Sequence, residues 1–287
     1  MRMSDSDSTE INAETRPRIV IAAALRDRWF EIWYQPKIDL KRKCLAGAEA
    51  LARIRHPELG VLLPGSFVPE VDEDSIAELA KFTLVTALQD WASFEAADFN
   101  LHLAVNVPVS IALKLSIPQL VLANRPQSTR WPGIIIELTE DQMVRDHALA
   151  DRIGAQLQVN GITIAIDDFG AGYSFLSTLR DLPFAELKLA RGFVGGCATD
   201  ATNAAICQTG IDLAHRFGSA AVADGVDNTV DLQTLMVMGC DFAQGAVIAP
   251  SMAKQDFLAL LQRHNAPRPA APQDVIQAGA KPASKVA

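Results

Sequence analysis

One short apolar run after another in this chain ends in a polar side chain able to hold a metal or move a proton. The sharpest case is Ile162–Ile166, which leads through β-branched residues into two adjacent carboxylates, Asp167 and Asp168, and then the glycine turn Phe169-Gly170-Ala171-Gly172. Paired acids at the end of a buried strand are costly unless positive charge meets them there. The pattern recurs where Ala48 leads to Glu49, Val105 to Asn106, Ile136 to Glu137, Leu187 to Lys188, Ala223 to Asp224 and Ala243 to Gln244. Stretches of helical spacing separate these runs. Functional groups at the carboxyl ends of successive strands, with helices between, are the mark of a (β/α)8 barrel, an α/β fold of the TIM type.

About eight strands can be placed, the number such a barrel needs. Glu31–Leu40 and Leu45–Ala52 read as a hairpin closed by Lys41-Arg42-Lys43, so one irregular antiparallel strand is expected near the start. A loop holding His56-Pro57, Gly60 and Pro64-Gly65 follows. Asp74 or Ser75 then caps a helix to about Phe94, in which Ile76, Leu79, Ala80, Leu84, Ala87 and Leu88 recur at helical intervals. Further strands are expected at 101–107, 134–138, 162–167, 185–190, 219–224 and 241–244. Between them fall a helix interrupted by Pro118 and helices at 146–160, 173–180, 200–217, 228–238 and 254–262, several ended by glycine.

With 287 residues, 49% of them hydrophobic, the chain can bury one large barrel core. A net charge of -8 and a pI near 5.1 argue against DNA or RNA as partners, since no stripe of Lys and Arg is present to meet phosphate. Cys44, Cys197, Cys207 and Cys240 form no CxxC pair and read as reduced thiols, which suggests the cytoplasm. Residues 1–17 read as a flexible leader without the features of a signal peptide, 18–263 as the barrel domain, and the Pro- and Ala-rich 264–287 as a disordered tail. The apolar run Ile19–Leu25 is too short to span a membrane.

Glu49, Asn106, Glu137, Asp167 and Asp168 offer only oxygen ligands, mostly anionic, a set that suits Mg²⁺ or Mn²⁺ better than zinc. Two such ions about 3.5 to 4 Å apart clamp the attacking and leaving oxygens of a phosphoryl displacement, so a phosphodiester would fit as substrate. Taken alone, Asp167-Asp168 could equally be a solvated turn with a capping Asp. Arg53 and Lys188 could pair with the acids instead of touching a ligand. The five histidines end none of these strands, and Trp29, Trp33, Trp91 and Trp131 suit packing better than base stacking.

Several motifs stand in one order: Tyr34-Gln35-Pro36, Glu49-Ala50-Leu51 followed by Arg53, His56-Pro57, Val105-Asn106, Glu137-Leu-Thr-Glu140, Asp167-Asp-Phe-Gly-Ala-Gly-Tyr173, Leu187-Lys188, Asp224-Gly-Val226 and Gly239-Cys-Asp-Phe-Ala-Gln-Gly245. Over roughly Trp29 to Leu261 the chain resembles an EAL domain, the cyclic di-GMP phosphodiesterase module of bacterial signalling. The resemblance implies that Glu49, Asn106, Glu137 and Asp167 hold one Mg²⁺ or Mn²⁺, and that Asp167 and Asp168 share or support a second. It gives Lys188 the task of positioning or activating the attacking water, makes Asp224 part of the catalytic set, and has Glu140 brace the glycine loop. Gln35, Leu51, Arg53 and Gln244 would contact cyclic di-GMP, which would be opened to linear pGpG. A homodimer through Gly170–Asp181 and a separate regulatory protein are also implied.

Two residues depart from the family pattern. Active members carry Lys-Ile-Asp where this chain has Lys188-Leu189-Ala190. Residues two apart on a strand face the same way, so the mouth beside Lys188 lacks a carboxylate. Asp224 replaces a Glu and is shorter by one bond, about 1.5 Å. Weak turnover is therefore expected. The alternative is a degenerate domain that serves as a cyclic di-GMP receptor or protein-interaction module.

Overall fold

A computed structural model describes residues 21–67, 72–139, 161–170 and 183–265. Strand β1 (Phe30–Asp39) folds back on β2 (Cys44–His56) as the expected antiparallel hairpin. Its basic turn is shaped by Asp39, whose Oδ1 accepts the N–H groups of Lys41 (2.9 Å) and Arg42 (2.8 Å), while Lys43 takes the left-handed φ of 53°. Strand β2 runs past Ala52 to His56 and pairs with the short β3 (Gly60–Leu62), where a plain loop was expected. The extension is held because Ile54 is fully buried against Phe30, Phe67 and the short helix α1 (Ile21–Arg26).

From β2 the sheet continues in parallel through β4 (His102–Asn106), β5 (Ile134–Thr139), β6 (Ile162–Phe169), β7 (Glu186–Leu189), β8 (Ala220–Ala223) and β9 (Phe242–Gln244). Strand β1 then pairs antiparallel with β9, closing eight strands into a barrel. It is the irregular strand the hairpin called for. A two-residue β10 (Met252–Ala253) lies against β1 outside the ring.

Helix α2 (Glu73–Ala96) starts earlier than expected because Asp72, and neither Asp74 nor Ser75, is its cap: Asp72 Oδ1 accepts the Ser75 N–H at 2.9 Å. Glu73 and Asp74 then fall in the first turn, where the helix dipole favours negative charge. Pro118 interrupts no helix. It sits in the first turn of α4 (Ile117–Asn124), after a separate α3 (Val109–Lys114), at a position where a missing N–H does no harm. The remaining described helices are α5 (Arg191–Val194), α6 (Ala201–Arg216), α7 (Thr229–Met238) and α8 (Lys254–Asn265). Helix α8 passes the boundary expected at 263. The helices expected at 146–160 and 173–180, the proposed dimer segment beyond Gly170, and most of both tails lie outside the described residues. Among the described residues no helix is long and apolar enough to cross a membrane.

Inside the barrel the side chains of Ala104, Ile135 and Ala165 form a separate packed layer. Each stands two residues before a polar residue of the same strand, respectively Asn106, Glu137 and Asp167. Alternation therefore points all three polar residues into the lumen just above this plug.

Candidate active site

The carboxyl ends of the parallel strands bring the sequence-selected residues together. Asn106 and Glu137 are register partners on β4 and β5, Thr139 pairs with Asp167, and Lys188 on β7 stands opposite Val222 on β8. Asp224 follows β8 and Gln244 ends β9. Glu140 lies outside the described residues.

Lys188 is the centre of this group. Its ammonium donates to Glu137 Oε2 at 2.8 Å and to Glu49 Oε2 at 3.3 Å, and lies 3.2 Å from Asp167 Oδ1. The lysine is 1% exposed, and Glu137 and Glu49 are buried with it. Burial works against the Lys188 charge, yet Glu137, Glu49 and Asp167 hold its pKa well above the ordinary lysine range. Glu137 is pushed well above the usual carboxylate range by burial and by the nearby Glu49. Burial would raise Glu49 too, but Lys188, Gln244 and Asn106 bring it below its ordinary value. The group thus sets three carboxylates against one cation, an excess of negative charge in a dry place.

Gln244 and Asn106 orient these acids. Gln244 Nε2 donates to Glu49 Oε2 (2.6 Å) and to Asp224 Oδ1 (2.8 Å), while Asn106 Nδ2 donates to Glu49 Oε1 at 2.5 Å. Gln244, expected as a ligand contact, is a fully buried brace between two carboxylates. Asp224 reaches Gln244 despite its shorter side chain, and burial raises its pKa.

Asp167 and Asp168 are adjacent, and a regular strand would send them to opposite faces. Here β6 carries one extra residue: Ile166 pairs with Leu187, but Phe169 pairs with Leu189. The bulge falls on the two aspartates, with Asp168 at φ 57° and its N–H on Asp167 Oδ1 at 3.0 Å. Such bulges re-aim side chains, and Asp168 stays beside Asp167 at the carboxyl end of β6. Burial and Asp167 raise its pKa. Nothing in the sequence marked the bulge except Gly170, which follows at φ 97°.

Along β2, Glu49, Leu51 and Arg53 climb out of the lumen on one face, with Gln35 opposite Glu49 on β1. Arg53 is 7% exposed; its guanidinium donates to Ala52 O at 3.0 Å and Ser251 Oγ at 3.3 Å and lies over Trp33 at 6.0 Å. Its Nε is buried with no hydrogen-bond partner. Trp33 was read from the sequence only as a packing residue, and Ser251 was not singled out. Ala190 directly follows β7, still extended (φ −60°, ψ 137°), 5% exposed, and caps α5 without a side-chain hydrogen bond.

No group of three His, Cys, Asp or Glu among the described residues is gathered tightly enough to enclose a metal. The acids stand at hydrogen-bonding distance around an ammonium instead. A cavity of about 440 Å³ opens at the other end of the barrel, lined by residues that include Lys37, His102, Glu186 and Phe242. Both Glu186 oxygens accept from Lys37 Nζ at 2.6 Å. Active sites of this fold lie at the opposite, carboxyl end, where the acids converge.

The family model for the EAL domain matches residues 20–251. Cyclic di-GMP phosphodiesterase PA2567 of Pseudomonas aeruginosa is 33% identical over 236 residues, covering 82% of this chain and 40% of that protein. Cyclic di-GMP phosphodiesterase RocR of the same organism is 32% identical over 231 residues, covering 80% of this chain and 59% of its own length. The chain thus spans less than two thirds of the length of each of these curated relatives. Among solved structures, the PaMucR phosphodiesterase in complex with c-di-GMP superposes with a TM-score of 0.73 at 28% identity, covering 83% of this chain and 97% of that one. The EAL enzyme Bd1971, bound to cAMP and cyclic di-GMP, gives a TM-score of 0.76 at 26% identity over 84% of this chain and 67% of its own. A closed barrel with one reversed strand, acids converging at its carboxyl end, and a family match across most of its length together establish that this chain belongs to the EAL domain family.

Proposed function

We propose that this chain is a metal-dependent phosphodiesterase that hydrolyses cyclic di-GMP to linear pGpG, with turnover weakened at Ala190 and Asp224. The observation that carries the reading is the convergence of Glu49, Glu137 and Asp167 on one buried cation at the carboxyl end of the barrel. Relatives named as cyclic di-GMP phosphodiesterases support the substrate.

The donor set fits Mg²⁺ or Mn²⁺: it is all oxygen and carries more negative charge than Lys188 offsets. Glu49, Glu137, Asp167 and the Oδ1 of Asn106 would hold one ion, with Asp168 beside a second. Bound there, the ions would acidify the attacking water and offset phosphate charge. The chain's own residues do the rest. Gln244 holds Glu49 and Asp224 in place, and Lys188, from beside the ions and not among their ligands, would orient the water through its ammonium. Arg53 meets the ligand, since a phosphate or guanine oxygen would satisfy its orphan Nε and relieve a buried unmade hydrogen bond, worth about 1 to 3 kcal/mol.

Incubation of purified protein with cyclic di-GMP and Mn²⁺ or Mg²⁺ tests the reading. pGpG should accumulate slowly. Tight binding with no pGpG after long incubation at high protein concentration would instead favour the receptor alternative that Ala190 and Asp224 motivate.

A further inference from the structure

We infer that the Lys188 ammonium competes with the divalent ion for one set of oxygens, so that this chain binds its metal only by expelling its own lysine. The inference rests on the metal-binding reading of the site. Three of the side chains proposed as metal ligands, Glu137, Asp167 and Glu49, lie 2.8, 3.2 and 3.3 Å from Lys188 Nζ. Those are hydrogen-bonding distances. A hard ion such as Mg²⁺ draws its oxygens in to about 2.0 to 2.1 Å and repels an ammonium inside the same ring.

An expelled Lys188 has few places to go. At 1% exposure it cannot move its charge into water without moving its surroundings, and a buried ammonium without acceptors is costly. The neighbouring Asp224, held by Gln244 through Oδ1 at 2.8 Å, offers it at most its other oxygen. The residue just beyond β7 is Ala190, buried and extended, whose methyl accepts nothing. With no second acceptor on its own strand, the ammonium remains in the metal's place. A carboxylate at position 190 would supply one.

The test is calorimetric titration of Mn²⁺ into metal-stripped protein without nucleotide, so that turnover plays no part. Lys188→Met should bind Mn²⁺ at least tenfold more tightly than the unaltered chain. Ala190→Asp should also tighten binding, and that gain should vanish in the Lys188→Met background, because both changes act through the same ammonium. Should the methionine variant not fold, Lys188→Gln, uncharged but still a donor, takes its place. Equal or weaker Mn²⁺ binding by the lysine variants overturns the competition and leaves the metal site standing. An Ala190→Asp gain that persists without Lys188 also overturns it, since the new carboxylate would then be a ligand in its own right. If no variant binds Mn²⁺ at millimolar concentration, the metal reading itself fails and the inference falls with it.

Discussion

Two buried lysines face the same lumen, and they differ chiefly in how much negative charge surrounds them. Lys37 meets one carboxylate: both oxygens of Glu186 lie 2.6 Å from its ammonium, with side-chain exposures of 4% and 9%. Lys188, reached from Glu186 by two steps along β7, meets three. The first pair is charge-matched and closed, and it braces β1 against β7 across the barrel floor. The second is unmatched, and that excess of negative charge suits it to further cations. A buried ion pair in a barrel is therefore no sign of a site by itself; the mismatch is.

The largest effect should come from breaking the matched pair. Lys37→Met leaves Glu186 buried and alone, which should destabilise the fold by about 3 to 5 kcal/mol in urea denaturation. Lys37→Met with Glu186→Leu should recover most of that loss, because removing both charges removes the penalty. If the double variant is as unstable as the single one, charge pairing is not what holds the floor, and the contrast with Lys188 collapses.

The contrast also marks where the sequence could be read and where it could not. Strand ends carrying Glu49, Asn106, Glu137, Lys188 and Gln244 were visible because apolar runs stop at them, and period-two alternation places such residues on one side. The Lys37–Glu186 pair was invisible. Its members lie 149 positions apart, and only closure of β1 onto β9 brings them face to face. The bulge at Asp167 and Asp168 escaped for a related reason: an extra residue shows only against a partner strand. Asp72 was passed over as a cap because Asp74 and Ser75, equally good capping types, stand close by. Local chemistry was readable, whereas pairings made by tertiary closure were not.

Repairing the unmatched site should have the next largest effect. Ala190→Asp with Asp224→Glu should raise hydrolysis of cyclic di-GMP by one to two orders of magnitude, about 1.4 to 2.7 kcal/mol of transition-state stabilisation. Ligand affinity should change far less. The single changes should be non-additive, since both groups act near Lys188. A folded, ligand-binding double variant with no gain would mean that the defect lies elsewhere, and the receptor alternative would become the better description.

Ala190→Asp should act on stability too, and more modestly. Ala190 is the N-cap of α5 and offers no side-chain hydrogen bond. An Asp there can accept a first-turn N–H, a gain of about 0.5 to 2 kcal/mol that should fall at the low end for so short a helix. Ala190→Asn separates the two roles. It should match the thermal stabilisation, because Asn caps as well as Asp, yet leave hydrolysis unchanged, because it brings no charge to Lys188. An Asn variant that hydrolyses as fast as the Asp variant would show that order at α5, and not charge at the site, limits turnover.

The smallest effect belongs to the floor again. His102 lines the cavity below the Lys37–Glu186 pair, and burial, then the Lys37 charge, depress its pKa below the usual 6.5, with Glu186 opposing. A histidine depressed on folding binds fewer protons folded than unfolded. Its contribution to stability is therefore complete above about pH 6.5 and declines as pH falls towards the folded pKa. Because part of the ring is exposed, the slope should be shallow, and His102→Gln should flatten it. Lys37→Met supplies the sharper check: losing the lysine while keeping Glu186 should move the His102 titration upward when followed by NMR. An unchanged or lowered His102 pKa would mean that Glu186, left without its partner, takes up a proton, so that no net change of charge reaches the imidazole.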